Sequence, residues 1–272
     1  MIAKSISEGF KFALSVKRVI PYIILDLIIF YILISFFSSF INMIRVESFN
    51  VLEFLVSLGI SIPAFIIISL VQLWINGATV DQAKYFPREK PLTMSFEYST
   101  SRYLTMFCAL IIYSVIACIL SLPKYIGSIL VFGLTLIFYY LYPAIIVDKK
   151  RCTDAFRKSY KIFKRYPLET FLTWLVSVII TFVIIGFFAL PLIFLFLGNI
   201  VSVFGATIPT AVGVDIEPRN LINSIMPGVF AAVRSPFFVP YLFILVVALS
   251  FTKVFNLGVQ TRLYINARKM EI

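Results

Sequence analysis

The chain has 272 residues, 61% of them hydrophobic and 14% charged, with a net charge of +11 and no histidine. With a mean hydropathy of +1.00, it lies outside the range of soluble domains, and lipid becomes the solvent for most side chains. A soluble nucleic-acid binder is thereby excluded, because topology and anionic headgroups account for the positive charge. The missing histidine removes the commonest metal ligand and neutral-pH proton carrier, and no metal or cofactor is expected.

A helix needs about 20 apolar residues to cross the hydrocarbon core. In chain order the candidate spans are Val19–Ile44, Val51–Val80, Tyr103–Leu122, Tyr125–Val147, Leu168–Leu197 and Phe237–Ile265. The first is too long for the apolar region of a secretory signal. Their apolar runs are continuous rather than alternating, which argues against a barrel and for an all-α, six-span polytopic membrane protein, read as one membrane domain over 1–272.

Lys and Arg set the expected orientation. Nineteen lie in the N-terminal segment, Lys84–Arg102, Lys149–Arg165 and the tail; the alternate connections hold only Arg45, Lys124, Arg219 and Arg234. The positive-inside rule then places both termini in the cytoplasm of a cell-membrane protein. The outer connection, 198–236, reads as an uncharged first half that either prolongs the fifth helix or folds back. After it comes a short surface helix from Pro218 through Arg219–Arg234.

Amphipathic helices are expected on the basic side. Over Thr153–Tyr166, Phe156, Tyr160, Ile162, Phe163 and Tyr166 share one side of a helical wheel; Arg157, Lys158, Lys161, Lys164 and Arg165 share the other. That split describes a helix in the membrane interface, with the five basic residues as candidate contacts to anionic lipid headgroups or a protein partner. Ile2, Ile6, Phe10 and Leu14 make a similar stripe, with Ser5 and Glu8 at capping-box spacing, and Leu92–Arg102 is a weaker third case.

These segments superimpose. Ser7-Glu8-Gly9-Phe10-Lys11 aligns with Thr153-Asp154-Ala155-Phe156-Arg157 in a register that continues to Pro21 and Pro167, and Thr93-Met94-Ser95-Phe96 fits the same pattern. The hairpins end alike at Val80-Asp81, Val147-Asp148 and Val259-Gln260. Three parallel repeats follow, bounded at 1–84, 85–150 and 151–272, each a surface helix plus two spans.

Polar residues within the spans are the candidates for an intramembrane site. Asp26 and Lys253 neutralise each other if their helices touch; the functional reading makes them part of a path, and the plain one a structural ion pair or a lysine snorkelling to an interface. Gln72 and Asn76 (with Thr79) form one stripe, and Lys253, Asn256 and Gln260 form another. Together the stripes either line a polar cavity open to the cytoplasm or bond helix to helix, at about 1 kcal/mol per bond. Cys108, Cys118 and Cys152 have no ligand spacing, and a disulfide framework is not expected. No phosphate loop, zinc-protease helix, nucleophile elbow or catalytic carboxylate pair is present. The chain reads as non-enzymatic: a scaffold or accessory subunit binding anionic lipid or a partner. The alternative is a transporter or channel for a small solute or lipid.

Tyr142-Pro143-Ala144-Ile145-Ile146-Val147-Asp148, followed by Ala155-Phe156-Arg157-Lys158-Ser159-Tyr160, resembles a pattern in a broad group of prokaryotic multi-spanning membrane proteins. That group includes the membrane domain fused to some glycerophosphoryl diester phosphodiesterases. The resemblance implies a shared helical architecture. It implies no phosphodiesterase activity, since the catalytic domain is missing here.

Overall fold

The structure, a computed structural model, describes residues 1–45, 51–123, 126–207 and 227–270. Among the described residues helix accounts for 89%, and there is no strand, so the all-α class stands. The helices are α1 (Ile2–Ala13), α2 (Val16–Arg45), α3 (Val51–Tyr85), α4 (Leu92–Ser121), α5 (Gly127–Ile137), α6 (Leu141–Ile146), α7 (Cys152–Arg165), α8 (Pro167–Thr207), α9 (227–234) and α10 (Phe238–Lys269). Among the described residues six segments are long and apolar enough to cross a membrane, α5 and α6 together forming the fourth. The chain is a multi-pass helical membrane protein.

Local chemistry explains where helices stop. Pro167 ends α7, because a residue preceding proline is driven out of the α region, and Tyr166 accordingly sits at φ −131°, ψ 54°. Proline then opens α8 at its first position, where its missing N–H costs nothing. Between α1 and α2 the Arg18 Nη1 donates to the Phe12 carbonyl at 2.9 Å, and its guanidinium lies 4.3 Å from the Phe12 ring centre. No proline interrupts 92–121, and the expected third surface helix is absorbed into α4, a single helix of 30 residues. The capping box is also corrected. Ser5 lies inside α1, whose N-cap is Met1, and its hydroxyl donates back to the Met1 carbonyl.

The fourth span is not one helix, as the sequence suggested, but breaks at residues 138–140. Broken backbone inside a membrane requires replacement hydrogen bonds, and the buried Ser159 and the half-buried Gln260 supply them. Ser159 Oγ of α7 donates to the Ile137 carbonyl at 3.0 Å and accepts from the Tyr140 N–H at 3.2 Å. Gln260 of α10 donates its side-chain amide to the Tyr139 carbonyl.

The chain divides into two compact units, Met1–Ile180 with Ser250–Ile272, and Thr181–Leu249. The core of the first lies toward the basic ends of the spans, around Tyr140, Ile145, Tyr264, Phe12, Tyr22 and Phe255. Positions aligned by the internal register occupy like environments there. Gly9, Ser95 and Ala155 are buried, as are Ala13, Ser99 and Ser159. Phe10 packs its ring on Phe251 and Phe255 of α10, Phe96 on Trp74 of α3, and Phe156 on Phe138 just past α5. Gly9 is required by close approach: a Cβ there would stand 2.8 Å from the Val259 backbone nitrogen.

The small row of each surface helix is thus fully buried, while its large apolar row is only partly covered by protein. Phe10 and Leu14 are 41% and 61% exposed. In α7 the buried row is Ala155, Ser159 and Ile162. Tyr160, assigned by the wheel to the apolar side, is 50% exposed; the protein-facing row is chosen by close packing rather than by side-chain hydrophobicity.

In the second unit α8 continues to Thr207, so the first half of the outer connection prolongs the fifth helix up to that residue. A helix follows at 227–234, inside the Arg219–Arg234 expectation, whose remainder lies outside the described residues. A Cβ on Gly228 would stand 2.9 Å from the Asn199 carbonyl oxygen, so glycine lets this helix approach α8. The apolar wall of α8, including Phe182, Phe187 and Phe194, is exposed, as lipid-facing surface requires.

Candidate functional site

The sequence-predicted polar residues do not converge on one cavity. Asp26, 3% exposed, pairs with the Lys253 ammonium and accepts from the Ser250 hydroxyl at 2.9 Å. The condition for neutralisation, that the two helices touch, is met between α2 and α10.

The stripe on α3 turns toward α2. The Tyr22 hydroxyl donates to Asn76 Oδ1 at 2.9 Å and lies 3.0 Å from Thr79 Oγ1, while Gln72 is half-buried. Asn256 and Gln260 on α10 face elsewhere, toward the broken fourth span. Of the two readings of the stripes, the described contacts are of the helix-to-helix kind: the α3 stripe and Lys253 bond residues of α2, and Gln260 bonds the fourth span.

Asn256 and Gln260 border a cavity of about 390 Å³. Its walls come from α4 (Leu110, Tyr113), the fourth span (Thr135, Phe138, Tyr139, Tyr142), α8 (Trp174, Ser177, Val178) and α10. None of the lining residues carries a charge. The Tyr113 hydroxyl and Thr135 Oγ1 already bond each other at 2.9 Å. Ser177 is 3% exposed and makes no hydrogen bond of acceptable geometry, with the Tyr139 side chain beside it.

Ser177 was missed by the sequence reading, although a signal existed. Thr170, Thr173 and Ser177 recur at helical spacing on α8 and are all buried. Thr170 bonds the Tyr140 hydroxyl at 2.7 Å, and Thr173 Oγ1 shares the unbonded state of Ser177.

The basic helix α7 keeps the arrangement read from its wheel. Arg157, Lys161, Lys164 and Arg165 are exposed, Lys158 is half-buried, and the Ala155/Ser159/Ile162 row anchors the helix to the bundle. Beside it Asp148 accepts from the Tyr264 hydroxyl at 2.8 Å and pairs with Arg268 at 2.7 Å, tying the end of the fourth span to α10. On the far side of α10, Arg262 pairs with Glu8 at 3.5 Å. Arg262 and Arg18 also stand over the Phe86 ring, at 5.2 and 5.5 Å from its centre.

Cys152, at the start of α7, has the Cys108 thiol as a neighbour; burial first, and then that thiol, push its pKa up to about 12. A raised thiol pKa keeps the unreactive protonated form across neutral pH, since the thiolate is the nucleophile. Iodoacetamide should therefore modify Cys152 at pH 8 at least tenfold more slowly than a free cysteine peptide, with the rate still climbing at pH 10. Peptide mapping by mass spectrometry reads both quantities, and a rate plateau near pH 9 would contradict the assignment.

Among the described residues no three acidic or cysteine side chains converge on a metal-sized point. Comparison with protein-family models, with curated proteins and with solved structures returns no match to this chain.

Proposed function

We propose that this protein is a non-enzymatic scaffold or accessory subunit of the cell membrane, with both termini cytoplasmic, that presents α7 to anionic lipid headgroups. The observation that carries this reading is the division of labour on α7. One row is locked into the bundle through Ser159 and Ile162, and the opposite surface holds Arg157, Lys161, Lys164 and Arg165 exposed. A helix fixed in this way holds its cations at a constant depth, and each basic residue near an anionic surface contributes about 1 kcal/mol. Nineteen basic residues on that side against four on the other support the orientation.

The transport alternative draws less support. Its strongest charged candidates, Asp26 and Lys253, neutralise each other, and neither lines the cavity beside Gln260.

The test compares lipids retained by the purified protein from mixed phosphatidylglycerol and phosphatidylcholine. Wild type is expected to enrich the anionic lipid, and 0.5 M salt should weaken that preference by screening. The combined variant Lys158→Gln, Lys161→Gln, Lys164→Gln and Arg165→Gln should lower the enrichment at least tenfold. Unaltered enrichment in a folded variant would overturn the reading.

A further inference from the structure

The cavity bordered by Ser177 and Gln260 is separate from the basic face of α7 and has chemistry of its own. Its volume of about 390 Å³ falls within the 300–1,000 Å³ typical of small-molecule sites. Interrupted membrane helices are a recurrent setting for such sites, and the break at Phe138–Tyr140 forms part of this wall. A buried hydroxyl without a hydrogen bond costs about 1–3 kcal/mol, and here it stands at the edge of open volume.

Three features define what fits. None of the lining residues is charged, so a phosphate, ammonium or carboxylate would enter without compensation, at high cost. Ser177 is ten residues past Pro167 on α8, about 15 Å along the axis, or half the roughly 30 Å hydrocarbon thickness. A phospholipid headgroup does not reach that depth. The third feature is access: Val178, on the cavity wall, is 42% exposed on the lipid-facing side of α8.

We infer that this cavity binds an uncharged lipid of the surrounding bilayer, its apolar tail lying along Leu110 and Val178 and a carbonyl or hydroxyl oxygen bonding the Ser177 hydroxyl. The Asn256 amide lies at the same cavity and gives the oxygen a second polar neighbour. Diacylglycerol has the required chemistry, with ester oxygens and no charge, and serves as the probe.

The chain has two tryptophans, and Trp174 lines the cavity, so Trp74→Phe leaves a single reporter. The protein is placed in phosphatidylcholine nanodiscs containing a small, equal mole fraction of either brominated diacylglycerol or brominated phosphatidylcholine. Diacylglycerol should quench Trp174 at least threefold more, and adding Ser177→Ala should remove most of the excess. Equal quenching by the two carriers overturns the inference.

Because Trp74 donates to Thr100, the reporter variant can loosen α3 against α4. Mass spectrometry of lipids bound to the unaltered chain therefore runs in parallel. About one uncharged lipid per chain supports the site, and retention of phospholipids alone overturns it. Neutralising α7 should leave the Trp174 result unchanged, since no α7 residue lines the cavity, so failure of the headgroup reading and failure of this site are separable.

Discussion

Asp26→Ala is expected to lower stability by about 3–5 kcal/mol, the usual cost of stranding one member of a buried ion pair. The carboxylate is 3% exposed and holds both the Lys253 ammonium and the Ser250 hydroxyl. Without it the Lys253 ammonium loses the carboxylate that neutralises it. The double variant Asp26→Leu with Lys253→Met should recover most of the loss, because replacing both charges with apolar groups removes the desolvation cost together with the attraction. Thermal unfolding in detergent micelles measures both. A double variant no more stable than Asp26→Ala would show that the two side chains act independently.

Ser159→Ala should produce the other large loss. One hydroxyl serves two backbone groups exposed by the interruption of the fourth span, the Ile137 carbonyl and the Tyr140 N–H. Each stranded buried group costs about 1–3 kcal/mol. Ser101→Ala is the matched control: Ser101 is exposed and bonds only within its own helix, to Tyr98, so its removal should change stability by less than about 0.5 kcal/mol. A Ser159→Ala protein that melts with the control would mean that the interruption is held by other contacts.

The consequence of Ser159 reaches beyond stability. It secures the irregular backbone that places Phe138 and Tyr139 on the cavity wall, and Gln260 completes the task from α10. The same serine anchors α7, so the basic face and the uncharged cavity share one fixed point. Loss of Ser159 is thus the change that touches both proposed surfaces at once.

How far the chain could be read in advance varies by element. The six spans followed from apolar length, and their ends were displaced mainly where helices run on past the hydrocarbon, as α3 does to Tyr85 and α10 to Lys269. The ion pair between Asp26 and Lys253 was legible because charges inside a membrane seek partners. The interruption at 138–140 was missed although Pro143 signals it: proline has no N–H for the Tyr139 carbonyl, and its ring crowds that oxygen. What the sequence hid were the groups that replace the lost bonds, Ser159 and Gln260, which lie 19 and 121 residues from their partners. The cavity was hidden for a related reason. Asn256 and Gln260 were singled out, but the α8 residues that share their cavity lie in the fifth span, where no polar residue was singled out.

By itself the sequence determined that this protein lives in hydrocarbon, that helices must carry it across because every backbone amide needs a partner there, and which connections are basic. Only the tertiary structure decided which row of each helix faces protein. In water a hydrophobic stripe points inward; in lipid the outside is as apolar as the inside, so hydrophobicity stops discriminating and close approach of small residues takes over. That is why Gly9, Ser99 and Ser159, not Phe10, Leu14 and Tyr160, are buried against the bundle.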